Sequence, residues 1–153
     1  MRLQDKVAIV TGTATGIGQA TAIPFAREGA AVVVDYIGKP DVAGKTEGQI
    51  AGFRGKSIAI AADTSKPDQV QNLIDGAVKA FGKLDIIVNN VFLVSQAAAR
   101  QMIRQGHGGR LINVSSVHED LPMPTNAAYC VSKGELRMLT RTIAVELGKD
   151  KIM

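Results

Sequence analysis

The sequence predicts an α/β fold: a doubly wound parallel sheet of about five strands, covered by helices on both faces, in a single domain over residues 1–153. Three observations carry this. Short apolar runs rich in β-branched residues alternate with longer stretches of helical period, the β-α-β-α order of a doubly wound sheet. Those runs are continuously apolar, as strands buried on both faces are. Aromatic residues make up only 4% and Trp is absent, so the core must come from Ala, Val, Ile and Leu, which suits helices packed on such a sheet.

Taken in order, Val7 to Val10 is the first strand, followed by a Gly-rich turn and a helical stretch to about Glu28. Pro24 lies well inside that helix, where it removes a hydrogen bond at a cost of about 3 kcal/mol, and a kink is expected there. Ala31 to Val34 is the second strand. Asp41 to Phe53 is a weaker helix, because Gly44, Gly48 and Gly52 each cost about 1 kcal/mol relative to Ala. Ser57 to Ala61 is the third strand. The strongest helix signal comes next: Ser65-Lys66-Pro67-Asp68 offers a capping hydroxyl, an early Pro and a first-turn acid. Val70, Leu73, Ile74, Ala77, Val78 and Phe81 then form one apolar stripe, and Gly82 ends it. Leu84 to Val88 is the fourth strand and Arg110 to Val114 the fifth, with helices near 93–105 and 129–147.

Composition closes off other classes. With 46% hydrophobic and 21% charged residues, the chain is neither disordered, collagen-like nor a coiled coil. A net charge of +4 favours anionic ligands, but no basic run is interleaved with aromatics, so no nucleic acid is expected. The single cysteine, Cys130, makes no internal disulfide and reads as a small helix-packing residue. The charged start and the short run Val7 to Val10 do not form a signal peptide. Nothing approaches the roughly 20 apolar residues of a membrane span, so no membrane partner is expected and the default is a cytoplasmic protein.

The first strand runs into Thr11-Gly12-Thr13-Ala14-Thr15-Gly16-Ile17-Gly18. Glycines at 12, 16 and 18 let the chain turn tightly and bring backbone N–H groups against a pyrophosphate, and the following helix points its positive end there. A strand before, a helix after and an acid, Asp35, closing the next strand make this a Rossmann-like dinucleotide site.

These residues resemble the short-chain dehydrogenase/reductase family, whose loop has this Thr-Gly-x-x-x-Gly-x-Gly spacing. Three further motifs match in order: Ala62-Asp63-Thr64 after the third strand, Asn89-Asn90 closing the fourth, and Ser116 followed by Tyr129-Cys130-Val131-Ser132-Lys133. The runs Ser115-Ser116-Val117-His118-Glu119 and Val32-Val33-Val34-Asp35-Tyr36 look most like bacterial glucose 1-dehydrogenases of this family. The resemblance implies an NAD(P)-dependent oxidoreductase that moves hydride between a nicotinamide and a sugar or other secondary alcohol or ketone. It places Thr11, Gly12, Thr15, Gly16, Ile17, Gly18, Asp35, Asp63, Thr64, Asn89, Tyr129 and Lys133 on the cofactor, with Asp63 at the adenine and Lys133 at the nicotinamide ribose. Cofactor choice stays open. Asp35 leans toward NAD, but it lies one place early relative to the family's NAD-selecting acid, Tyr36 sits in that place, and Lys39 is available to a 2′-phosphate.

The catalytic residues are expected to be Ser116, Tyr129 and Lys133. Tyr129 and Lys133 fall on one side of a helix. A free phenol is a poor base at neutral pH, and an ammonium and a helix N-terminus both favour its phenolate. Tyr129 then takes a proton from an alcohol or returns one to a ketone, while Ser116 orients the substrate oxygen. His118 is either a substrate contact beside Ser116 or a loop residue without a role. His118-Glu119-Asp120 holds no metal, since three consecutive residues cannot all face one ion.

The chain departs from the family in two places. After Asn89-Asn90 comes Val91-Phe92-Leu93-Val94-Ser95-Gln96-Ala97, resembling the middle of the next family helix, as if an internal block carrying the relay Asn were cut out. The family also continues past the Tyr129 helix with two strands and a substrate-covering segment. The sheet is therefore expected to be incomplete at its C-terminal edge, with the fifth strand an exposed apolar edge. Two other functions follow from those gaps: a nucleotide-binding module without turnover, and an assembly component whose helices at 93–105 and 129–147 pair with another subunit in a homo-oligomer.

Overall fold

A computed structural model describes residues 1–38, 40–89 and 91–153. Lys39, available to a 2′-phosphate, and Asn90 of the Asn89-Asn90 motif lie outside the described residues. Five strands, β1 (Val7–Val10), β2 (Ala31–Tyr36), β3 (Lys56–Ala61), β4 (Ile86–Asn89) and β5 (Arg110–Asn113), form one sheet in the order β3-β2-β1-β4-β5. Every pairing is parallel, with Ile9 opposite Val33 and Ile87, and Val88 opposite Ile112. The reversal between β1 and β4 is the topological switch point, where the two strand ends open a crevice.

Helices α1 (Gly16–Arg27) and α2 (Pro40–Ala51) cover one face, and α3 (Pro67–Phe81) and α4 (Phe92–Gln105) the other. Side chains alternate across the sheet as the pleat requires. Ala8, Val10, Val32, Val34, Ile86 and Val88 pack with Ala22, Ala26, Ala43 and Ile50. Ile9, Val33 and Ile87 pack with Leu73, Ile74, Val94, Ala98 and Met102. The all-apolar strands of the sequence are thus accounted for by two cores that share one sheet.

The helices depart from expectation in informative details. On α3, Val70, Leu73, Ile74 and Ala77 are buried and Gly82 closes the helix in the left-handed conformation, as the stripe predicts. The Ser65 hydroxyl does not cap it, however; it donates to Asp63 Oδ1 at 2.6 Å, and Lys66 occupies the cap position. Helix α2 forms despite its glycines because Ala43, Thr46 and Ile50 face inward, while Gly44 and Gly48 face open space. Helix α1 runs through Pro24 to Arg27, and the Pro24 carbonyl accepts the Glu28 N–H at 3.0 Å. The proline stands in the last turn, where it interrupts only one bond.

A last helix, α5 (Ala127–Leu147), follows a short 3-10 turn at Val117–Glu119. Its buried residues are Lys133 and Leu136. The edge expected to be open is paired at its start: Gly109 bridges Ile152 in parallel, and the Leu111 N–H donates to the Met153 carbonyl at 2.8 Å. Ile112, beyond that pairing, remains 42% exposed. No helix among the described residues is long and apolar enough to cross a membrane.

Candidate functional site

The C-terminal ends of β1, β2, β4 and β5 open into a cleft of about 470 Å³. The loop after β1 forms its floor. Gly12 and Gly16 have φ of +64° and +60°, and a Cβ on either would meet nothing within 4 Å. Positive φ is strained for other residues, so these glycines shape the turn while leaving its ligand side open. Gly18 has the opposite role: a Cβ there would lie 2.7 Å from the Gly12 carbonyl carbon, so the start of α1 rests directly on the loop. Thr15, the residue before α1, makes no capping bond with its side chain, and Ile17 is 70% exposed at the mouth. Open N–H groups at a helix N-terminus above bare glycine backbone fit a dinucleotide's pyrophosphate.

Asp35 lies beneath this loop and is 2% exposed. Its Oδ2 accepts the Gly12 N–H at 3.2 Å, and its carbonyl accepts both the N–H and the hydroxyl of Thr13, at 3.0 and 2.9 Å. The Thr13 carbonyl accepts from Thr46 of α2, whose hydroxyl accepts from Gln19 of α1. Oδ1 of Asp35 is buried without a partner. Burial pushes the carboxyl up to about 6, against the lowering effect of the Gly12 and Tyr36 N–H groups.

Thr11, Gly12, Thr15, Ile17, Gly18, Asp35, Thr64, Asn89, Tyr129 and Lys133 all border the cleft, brought there from four strand ends and α5. Gly16 and Asp63 do not border it. Asp63 Oδ1 accepts from both the N–H and the hydroxyl of Ser65, which holds this carboxylate below its usual range, and Oδ2 pairs with Lys66 at 3.8 Å. Asn89 borders the cleft with its amide already engaged. Its Oδ1 accepts from Val91 N–H at 2.8 Å and Ser95 at 3.2 Å, and its Nδ2 donates to Asn113. Asn113 in turn donates to Thr140, so the strand ends, α4 and α5 are tied together below the cleft.

Tyr129 lies in the first turn of α5 and is 42% exposed. The Lys133 ammonium donates to the Val114 carbonyl at 2.8 Å and stands 5.7 Å from the centre of the Tyr129 ring. Beyond Tyr129 opens a second pocket, lined by Ser116, His118, Met123, Asn126 and Tyr129 itself. The Ser116 hydroxyl accepts the His118 N–H at 3.3 Å. The His118 ring meets Tyr129 edge-on at 6.1 Å, and its Nδ1 lies 3.1 Å from the Leu121 carbonyl. A carbonyl only accepts, so Nδ1 carries the proton and a neutral ring leaves Nε2 as an acceptor. Arg137 of α5 pairs with Glu119 and Asp120, pinning the turn that carries Ser116 and His118. Among the described residues no group of three His, Cys, Asp or Glu side chains is arranged to hold a metal.

Sequence reasoning missed Ser115, Ile37 and Thr21 in the cleft and Met123 and Asn126 in the second pocket. Ser115 and Ile37 follow strand ends, a signal that a strand-by-strand reading supplies. Thr21 is one turn into α1, and Met123 and Asn126 arrive through a loop without periodicity.

The family model for short chain dehydrogenases matches residues 6–93 and 91–153. An uncharacterized oxidoreductase of Methylorubrum extorquens is 38% identical over 178 aligned positions, covering 99% of this chain and 71% of that protein. Glucose 1-dehydrogenase 2 of Bacillus subtilis is 36% identical, covering 98% and 69%. A short-chain type dehydrogenase/reductase of Mycobacterium marinum superposes with a TM-score of 0.93 at 34% identity, covering 98% of this chain and 72% of that one. The alignments are longer than this chain's 153 residues, and the two matched pieces of the family model meet at 91–93. Relative to these proteins the chain therefore lacks an internal block near residues 91–93.

Proposed function

The chain belongs to the short-chain dehydrogenase/reductase family, and on that premise we propose that it is an NAD(P)-dependent oxidoreductase acting on a sugar or another secondary alcohol or ketone. The observation that carries this reading is the position of Tyr129, which borders both the glycine-floored cleft and the pocket of Ser116 and His118. A group that passes a proton while hydride crosses between cofactor and substrate must stand at that boundary. Two relatives support the substrate class by name: the glucose 1-dehydrogenase of Bacillus subtilis, and an L-rhamnose 1-dehydrogenase (NAD(P)(+)) of Sphingomonas, 31% identical.

When bound, the nicotinamide supplies the hydride acceptor or donor. In the oxidative direction Tyr129 takes the alcohol proton on its phenol oxygen; in the reductive direction it returns one. The Lys133 ammonium is held by the Val114 carbonyl on one side and faces the Tyr129 ring on the other. The Ser116 hydroxyl orients the substrate oxygen, and His118 contacts the substrate beside it. Gly12, Thr15, Gly18 and Thr64 hold the cofactor, with Asn89, Tyr129 and Lys133 at its reactive end.

Binding without turnover is the second reading. It is prompted by one observation: the stretch missing near residues 91–93 is where the family resemblance places the relay Asn. A single pair of experiments separates the two. Tyr129→Phe should lower NAD(P)-linked oxidation of glucose or other aldoses by about 10²–10⁴-fold. Titration with NADH and NADPH should be saturable for wild type and variant alike. Saturable binding with no turnover in wild type sinks the enzyme reading, and absence of binding to the folded chain sinks both.

A further inference from the structure

The closing residues of β2 pose a question that the proposed function leaves open. An acid at the end of the second strand of a dinucleotide fold is ordinarily placed to bond the ribose hydroxyls of NAD. Asp35 does not present itself for this. Its Oδ2 is engaged by the Gly12 N–H, and its Oδ1 is sealed from solvent with no partner. The same residue's carbonyl holds Thr13 twice, so both ends of Asp35 grip the turn at Gly12-Thr13. Through Thr46 and Gln19 that turn is tied onward to α2 and α1. Asp35 is also the sole acid among the described residues that border the cleft. Past it, the rim is made by Tyr36 and by Ile37, which is 68% exposed; neither side chain bears a carboxyl.

We propose that Asp35 is a positioning residue of the phosphate loop rather than the reader of the cofactor ribose, so that it does not select NAD over NADP. The proposal rests on the nucleotide-binding reading of the cleft. A carboxylate that faces inward can act on the cofactor only through the loop it holds. That loop meets the pyrophosphate, which NAD and NADP share, whereas the two differ at the 2′-oxygen. Loss of the Asp35 contact is therefore felt equally by both cofactors.

The test is a titration of the 153-residue chain with NADH and with NADPH, followed by nicotinamide fluorescence, for wild type, Asp35→Asn and Asp35→Ala. Wild type is expected to bind the two within about tenfold of each other. Asp35→Asn keeps an oxygen that accepts from Gly12, and should stay within about threefold of wild type for both. Asp35→Ala removes that acceptor and should weaken both about tenfold, with the NADH to NADPH ratio moving less than twofold. A ratio that shifts toward NADPH by tenfold or more in either variant overturns the proposal, because only a ribose reader discriminates in that way. Wild-type affinity for both cofactors in Asp35→Ala also overturns it. Should Asp35→Ala fail to fold, Asp35→Asn decides: affinities within about threefold of wild type for both cofactors support the proposal, and a loss of more than about threefold for NADH alone overturns it. Failure of the nucleotide reading itself is distinguishable: wild type then binds neither cofactor, before any substitution is made, and the proposal falls with it.

Discussion

Substituting Gly18 by Ala tests whether the cleft is built as described. A Cβ at this position would lie 2.7 Å from the Gly12 carbonyl carbon and 2.8 Å from the Thr11 oxygen, and closer still to the Gly12 oxygen. All three are backbone atoms, so no side chain can swing aside. Either the first turn of α1 lifts from the loop or the loop is pushed toward the cleft. Forcing one methyl into a packed site costs about 1–3 kcal/mol. The loop is tied on its far side to Asp35 and Thr46, so much of that strain falls on the N–H groups at the cleft. Each 1.4 kcal/mol that reaches binding is a factor of about ten. Gly18→Ala is thus expected to raise the NADH Kd by about ten- to a hundredfold in a fluorescence titration. Strain absorbed by the fold lowers Tm by about 2–4 °C per kcal/mol in a chain of this size. Gly44→Ala, whose added Cβ meets nothing within 4 Å, is the control and should leave binding unchanged. If Gly18→Ala bound NADH as wild type does, with unaltered Tm, the close seating of α1 on the loop would be refuted.

Three further outcomes follow from the packing and the buried charges. Gly48→Ala on the exposed face of α2 should stabilise the chain by about 0.5–1 kcal/mol in urea unfolding, since the added methyl meets nothing and helix propensity improves. Asp85→Ala should destabilise by about 1–3 kcal/mol, because Asp85 Oδ2 accepts the buried Val7 N–H at 2.8 Å and its loss leaves that donor unpaired at the start of β1. Asp35 carries a pH signature. Its folded pKa is raised from 3.8 to about 6 by burial, so the ionised form is the one the fold disfavours. Stability present below pH 3.8 is then lost as pH rises to about 6, by up to about 3 kcal/mol. Asp35→Asn removes this loss, so its stability relative to wild type should grow between pH 4 and pH 6 and level off above; a constant difference across that window would contradict the burial.

The strands and the phosphate loop could be read from the chain because their causes are local. A continuous apolar run such as Val32-Val33-Val34 has no stable place except a strand covered on both faces. Gly12 and Gly16 are needed wherever a strand turns into a helix at positive φ. Tyr129 and Lys133 share a helix face by spacing alone, and Ser116 follows a strand end. The direction of a side chain at the end of a strand is not local. Asp35, placed on the cofactor from its position, has its Oδ2 taken by the Gly12 N–H at 3.2 Å, from the start of the loop after the neighbouring strand β1. The Asn89 amide is engaged by Ser95 and Asn113 through bonds that exist only once α4 and β5 are in place, whereas the Asp63 carboxylate is taken up by its close chain neighbours Ser65 and Lys66. The edge of β5 was expected to be open, yet Ile152 and Met153 return to it, a contact between residues that no short-range periodicity relates. Periodicity and turn chemistry act over a few residues and so are written in the order of the chain. Which polar group pairs with which is settled by competition among all the partners that folding brings together, and that competition has no linear record.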